Sequence, residues 1–321
     1  LGPGARAREA AIAALAELGR YPDGGGFELR RLLAERHGVE MAAITLGNGS
    51  NDVLDLIARV FLHPGQESVF SQHAFAVYAI STQAVGATAR VAPARDFGHD
   101  LDAMAALVNE RTRVVWIANP NNPTGTWTDR DRLYSFLSHL PDTCVAVVDE
   151  AYTEYVEDPA FPDASLWLEK LPHLIVTRTF SKVHGLAALR VGYGISHPHI
   201  ADLLNRARQP FNVNSIAQAA AIAALEDEAH IRASLDMNRE GMRQLEAGLS
   251  QLGLGFIPSV GNFITLDLGR PAAAVDQALL RLGCITRPVA NYGMPNHLRV
   301  TIGTEAENAR LLAALATVLA Q

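Results

Sequence analysis

Cysteine is nearly absent from this chain: Cys144 and Cys284 are the only thiols, both in apolar, strand-like segments without paired spacing. That excludes a disulfide framework, and a reducing, cytoplasmic setting is expected. Runs of Lys and Arg are missing as well, and with a net charge of −7 the chain carries no electrostatic footprint for nucleic acid. No apolar run reaches membrane-spanning length. The Ala-rich stretch Ala217–Leu225 is short and follows polar Asn212 and Asn214, so it reads as a packed helix. Two nucleotide signatures are also lacking. Leu46-Gly-Asn-Gly-Ser-Asn-Asp52 has no Gly-Lys-Ser/Thr of a Walker loop, and Gly192-Tyr-Gly194 does not complete a dinucleotide fingerprint. No metal-ligand set, internal repeat or low-complexity segment stands out. The chain opens at Leu1-Gly-Pro-Gly4 without a methionine, so a leading segment is expected ahead of it, and a removed signal peptide would leave no trace.

What is present suffices for a large core. Hydrophobic residues make up 49% of the 321 and charged ones 19%, enough for one large domain or two ordinary ones. Residues 5–18 read as a helix, which Arg20-Tyr-Pro-Asp-Gly-Gly-Gly26 is too glycine-rich to continue. From residue 27 to about 206, short apolar runs alternate with amphipathic stretches such as 50–62 and 129–139. The runs are Ser68–Phe70, Val114–Ala118, Cys144–Val148, Leu174–Thr177 and Val191–Ile195. That alternation predicts βαβ units and an α/β fold with a mostly parallel sheet buried under helices. Pro210-Phe-Asn-Val-Asn214 interrupts it, and 214–252 reads as two helices, the second long enough to connect domains. Beyond Leu254, strands at Phe263–Leu268 and Leu298–Ile302 mix with helices at 271–282 and 304–320, the pattern of a smaller α+β domain. The expected division is 1–20 as an N-terminal arm or part of the small domain, 21–235 as the large domain and 236–321 as the small one.

Three segments carry chemistry. In Thr179-Phe-Ser-Lys-Val-His-Gly-Leu-Ala-Ala-Leu-Arg190, one lysine follows an apolar run, beside two hydroxyls and eight residues before an arginine. A lysine that forms an imine next to a gripped phosphate calls for such a set, since Thr179, Ser181 and Arg190 suit a phosphate dianion. Lys182 falls at the C-terminal edge of the sheet, where open α/β sheets bind ligands. Gly47-Asn-Gly-Ser50-Asn51 ends a short strand and opens an amphipathic run, and backbone N–H groups at such a helix start attract anions. Asp149 closes the buried run Cys-Val-Ala-Val-Val148 at the same edge, with Tyr152 three residues on, and Asn119-Pro-Asn-Asn122-Pro-Thr-Gly125 follows another strand. Singly, Lys182 reads as a solvated lysine, Ser50 or Asn51 as an N-cap, Asp149 as an ion-pair partner and Asn122 as turn chemistry. The information lies in their ordered combination.

Together these segments resemble the fold-type I aminotransferases and, within them, the histidinol-phosphate aminotransferases. The similarity runs over nearly the whole chain, through Arg20-Tyr-Pro-Asp23, Ser71-Gln-His-Ala-Phe-Ala-Val-Tyr78, Gly261-Asn-Phe263 and Leu298-Arg-Val-Thr-Ile-Gly-Thr304. The resemblance implies a seven-stranded, mostly parallel sheet between helices, with pyridoxal 5′-phosphate as cofactor. Lys182 would hold it as an imine and later serve as base, Asp149 would pair with its pyridinium, and Asn122 and Tyr152 would contact its phenolate oxygen. Phe75 would stack on the ring. The backbone at Gly49, Ser50 and Asn51, with Thr179, Ser181 and Arg190, would hold the phosphate. Tyr21 would reach the phosphate of a neighbouring subunit, giving a homodimer with shared sites. Arg299, assisted by Arg287 and beside Asn122, would bind the substrate anion. The implied reaction is transamination between L-histidinol phosphate and 2-oxoglutarate, giving imidazole acetol phosphate and glutamate, a step of histidine biosynthesis. An aromatic amino-acid aminotransferase and a threonine-phosphate decarboxylase share the fold and the lysine, and a non-catalytic protein that binds the cofactor is the alternative of another class. Three departures from the family pattern stand out. Its Asn-rich segment before Leu-Gly-Pro is missing, and His184 and Ala188 stand where an aromatic and a glycine are more frequent. Alanine at 188 would be strained if that backbone required φ > 0.

Overall fold

The computed structural model describes residues 1–320. Its strands in chain order are β1 (Ile44–Gly47), β2 (Glu67–Ser71), β3 (Thr88–Ala92), β4 (Ala94–Arg95), β5 (Gly98–His99), β6 (Thr112–Ala118), β7 (Val145–Asp149), β8 (Leu174–Thr179), β9 (Gly192–Ser196), β10 (Gly255–Ile257), β11 (Phe263–Asp267), β12 (Arg287–Pro288) and β13 (His297–Thr301). Seven of them form one sheet in the order β1-β9-β8-β7-β6-β2-β3. β3, β2, β6, β7 and β8 pair in parallel, whereas β9 runs antiparallel to both β8 and β1. The sheet is therefore an α/β sheet of mostly parallel strands with β9 alone reversed.

The central strands Val145–Asp149 and Gly192–Ser196 are buried at every position because both faces are covered. On one face Val115, Ile117, Ala146, Val148, Leu174 and Val176 pack with Leu29 and Leu33 of α2 (Phe27–His37), Leu133 and Leu137, and the small residues of the helix Ser215–Leu225. On the other, Val114, Trp116, Val145, Val147 and Ile175 pack with α3 (Ser50–Phe61), α4 (Ala76–Ala84) and the helix Pro198–Ala207. The first helix, α1 (Ala5–Ala14), lies against Ser215–Leu225 and ends in a 3₁₀ turn, Leu15–Glu17, where one helix to residue 18 was expected.

The expected long connecting helix spans Glu228–Gln251. It leads to a second, antiparallel sheet in the order β10-β11-β13-β12, backed by helices Ala272–Arg281 and Glu305–Leu319 around a separate apolar core. The edge strand β3 gave no apolar run because most of its residues face solvent. Among the described residues no helix is long and apolar enough to cross a membrane.

Candidate active site

The parallel strands deliver their C-terminal residues to one edge, with Ala118 across from Asp149 and Asp149 across from Thr177. A cleft of about 400 Å³ opens there, closed on its far side by residues from β12 and β13. It brings together Ser50, Asn51, Phe75, Asn122, Asp149, Tyr152, Thr179, Ser181, Lys182, Arg190, Arg287 and Arg299. These residues are widely separated in the chain, and each was singled out in the sequence. Tyr21 lies elsewhere: it is 83% exposed and stacks on Phe211 with ring centroids 4.8 Å apart.

One end of the cleft could hold an anion. Gly49 precedes α3 with φ 87, a left-handed conformation suited to glycine, and contributes no capping side chain. The first-turn N–H groups at Ser50 and Asn51 thus have neither an intrahelical partner nor a side-chain cap. The first-turn acid, Asp52, is occupied by the Asn48 N–H at 2.8 Å and the Asn212 amide at 2.9 Å. A Cβ on Gly49 would come within 2.3 Å of Arg190 Nη2, so a side chain there would push the guanidinium from this position. Arg190 itself holds φ 55, a strained backbone for a non-glycine residue, and donates to Ser181 Oγ at 3.3 Å and Ala187 O at 2.9 Å. The left-handed position in this loop is thus Arg190, while Ala188 sits in the 3₁₀ turn Ala187–Leu189 without positive φ. His184 takes up the aromatic packing expected of its position, with its ring 4.9 Å from that of Phe180.

At the centre lies Asp149, fully enclosed. Oδ1 accepts from Thr177 Oγ1 at 3.0 Å and Oδ2 from the Tyr78 hydroxyl at 3.1 Å. Burial pushes this carboxyl above the usual carboxylate range, against the pull of Thr177, Tyr78, Lys182 and the Ala151 N–H. No guanidinium neutralises it. Lys182 Nζ sits 4.9 Å from the ring centroid of Tyr152, and Tyr152 meets Phe263 edge-on at 5.1 Å.

The opposite wall is cationic. Arg287 and Arg299 are direct partners across the β12–β13 ladder. Like charges placed so are unfavourable unless something anionic comes between them. Arg299 donates through Nη1 to Asn122 Oδ1 and lies 5.1 Å from the Phe263 ring centroid. Among the described residues none of Lys182, Arg190, Arg287 and Arg299 has a carboxylate within 4.0 Å.

Sequence reasoning passed over Tyr78 and Thr177, the two side-chain donors to Asp149, and Tyr292, which lines the cleft from the 3₁₀ turn Ala290–Tyr292. Thr177 could have been found by pairing the strand ends. Nothing local marks Tyr78, an apolar-looking position inside a helix.

Comparison with known proteins gives a consistent picture. The family model described as aminotransferase class I and II matches residues 3–315. A protein of Pseudomonas fluorescens named histidinol-phosphate aminotransferase 2 is 61% identical over 321 residues, covering 100% of this chain and 87% of its own. One of Methylococcus capsulatus with the same name is 60% identical over 305 residues, covering 93% of this chain and 82% of its own. Among solved structures, histidinol-phosphate aminotransferase from Sinorhizobium meliloti in complex with pyridoxal-5′-phosphate superposes with a TM-score of 0.95 at 30% identity, covering 99% of this chain and 88% of that one.

Proposed function

The chain belongs to the class I and II aminotransferases, and from that premise we propose that it transfers the amino group of L-histidinol phosphate to 2-oxoglutarate, giving imidazole acetol phosphate and glutamate in histidine biosynthesis. The observation that carries the substrate reading is the pair Arg287 and Arg299, two guanidiniums opposed across one ladder with no carboxylate partner, on the wall facing Lys182. Histidinol phosphate has no α-carboxylate, so its phosphate needs an anchor of its own, and glutamate must use the same cleft. Permanently charged, bidentate arginines serve both.

The residues present fit pyridoxal 5′-phosphate. The uncapped start of α3, Thr179, Ser181 and Arg190 suit its phosphate, and the buried, unneutralised Asp149 suits a cationic ring nitrogen. Phe75 would flank the ring, and Asn122 and Tyr152 would donate to its phenolate oxygen. When bound, the cofactor supplies an electron sink conjugated to the substrate carbon. Lys182 Nζ, 4.9 Å from the Tyr152 ring centroid, would hold the cofactor and, when free, would serve as the base that takes the proton from the substrate carbon. Asp149 would keep the ring nitrogen protonated. Arg299 and Arg287 fix the substrate's anionic end, which orients the carbon toward Lys182.

The same reading makes the protein a homodimer. Tyr21, 83% exposed and not among the residues that line its own cleft, is surrounded in the sequence by exposed Ile12, Leu15, Leu18 and Phe27, apolar surface that suits a second copy. Sedimentation of a monomer at micromolar concentration would remove this element. A cytoplasmic setting accompanies the two buried free thiols.

The deciding experiment is the visible spectrum of the protein with bound cofactor, recorded before and after addition of histidinol phosphate without any oxo acid. Conversion of the cofactor to its amine form is expected. Conversion by phenylalanine but not by histidinol phosphate would keep the chemistry and replace the substrate.

A further inference from the structure

Tyr78 is a buried ionisable side chain beside the cleft to which the reaction gives no part. Its ring stacks parallel on Trp116 of β6, with centroids 5.3 Å apart and planes 6° off, and meets Phe75 edge-on at 5.9 Å. Phe70 of β2 packs against it at 6.3 Å. Held by aromatics from three segments, the side chain has no freedom to turn, and its hydroxyl has one acceptor, Asp149 Oδ2. The backbone is fixed as well, since Tyr78 O accepts from Thr82 Oγ1 at 2.7 Å. A core phenylalanine would pack here equally well. What the hydroxyl adds is a neutral donor on a carboxylate that has no cation of its own.

We propose that Tyr78 is a positioning residue: its O–H holds Asp149 as an ionised acceptor, so that the shared proton stays on the cofactor's ring nitrogen. This rests on the reading of Asp149 as the partner of that nitrogen. The groups facing the Tyr78–Asp149 pair are Lys182, Tyr152, Tyr292 and Thr177, and among the described residues none carries a charge that could replace the donated hydrogen bond except Lys182. Without the phenol the carboxylate becomes more basic, because a hydrogen bond to the charged form favours that form. The proton then shifts toward Asp149 and the ring loses its positive charge. Trp116 and Phe75 act through Tyr78 by fixing the direction of its hydroxyl.

The test is Tyr78→Phe, which keeps the ring and its stack, compared with Asp149→Asn. Each is loaded with cofactor labelled with nitrogen-15 in the ring, and the resonance of that nitrogen is read together with kcat, KM and the cofactor dissociation constant of the unloaded protein. Tyr78→Phe should move the resonance toward unprotonated pyridine and lower kcat about tenfold to a hundredfold, with KM within roughly threefold. A residue that only fills space moves kcat without moving the nitrogen resonance. If the variant does not fold, 3-fluorotyrosine at position 78, a stronger donor of the same shape, should move the resonance the opposite way. A resonance unmoved at position 78 but moved by Asp149→Asn overturns the role of Tyr78 and leaves the role of Asp149 standing. A resonance unmoved by Asp149→Asn overturns both.

Discussion

Asp149 and Glu150 are consecutive, both buried, and oppositely provided for. β7 and β8 present alternate residues to the two sides of the sheet, so Asp149 and Thr177 face the cleft while Glu150 and Arg178 face away. On the far side Glu150 Oε2 takes two N–H groups of Arg178 at 3.0 and 2.7 Å, and Oε1 accepts the Ala164 N–H at 2.9 Å. Arg178 also reaches Asp163 Oδ1 at 2.7 Å. Burial works against the Arg178 charge, but Glu150, Tyr193 and Asp163 hold it above its ordinary value. On the near side Asp149 has only neutral donors. The same contrast holds among the arginines: Arg178 is matched by carboxylates, while Arg190, Arg287 and Arg299 are not. Charge is compensated behind the sheet and left uncompensated along the cleft.

Four substitutions would break or sharpen that contrast. The largest effect belongs to Lys182→Ala, which should abolish turnover while cofactor still binds noncovalently, as shown by equilibrium dialysis beside a turnover assay; near-normal turnover would sink the assignment. Next comes the back of the sheet. Arg178→Met strands Glu150 without its partner and should cost about 3–5 kcal/mol of unfolding free energy in urea titration, whereas the cofactor spectrum of the folded fraction should not change. A loss below roughly 1 kcal/mol would mean that the pair is not the compensated counterpart described above. On the open side the signs reverse: Arg299→Gln should leave the urea midpoint near its original value and lower kcat/KM for histidinol phosphate by about a hundredfold, mostly through KM. A large stability loss with intact KM would place Arg299 among the structural arginines.

The smallest effect concerns His184, behind the lysine loop. Burial, with the nearby Arg36 and His230, pushes its pKa down to about 4 from 6.5. The folded protein therefore prefers the neutral ring, and stability is lost as pH falls from 6.5 toward 4, because the unfolded chain takes up the proton first. The contribution is of the order of 3 kcal/mol at the acid end. His37, also pushed down to about 4 by burial, acts in the same direction and remains after any change at 184. His184→Phe should thus reduce, without removing, the fall in melting temperature between pH 7 and 4.5. An unchanged fall would exclude the histidine as its source.

Much of this was legible in the sequence, and the exceptions share a cause. The alternating pattern predicted the parallel sheet, and 214–252 read as two helices of which the long second one is Glu228–Gln251, because each depends on local periodicity. Lys182, Asp149 and Asn122 could be singled out because each follows a strand, and strand ends converge. Tyr78 could not, since its hydroxyl meets a carboxylate 71 residues away and its ring reads as core. The opposition of Arg287 and Arg299 likewise depends on a register that no local pattern dictates. The strain expected at Ala188 moved to Arg190, where the backbone bends to bring the guanidinium beneath Gly49.

The buried run of β7 also bears on strand phase. Val145, Ala146, Val147 and Val148 are apolar on both sides, so hydrophobicity alone fits that strand equally well if it is displaced by one residue. The charges do not. A one-step slip would turn Glu150 toward the cleft and Asp149 toward Arg178, leaving a longer acid in the cleft and a shorter one out of reach of the guanidinium fork. Between two neighbouring carboxylates of unequal length, the arginine behind the sheet recognises one and thereby dictates which of them looks forward.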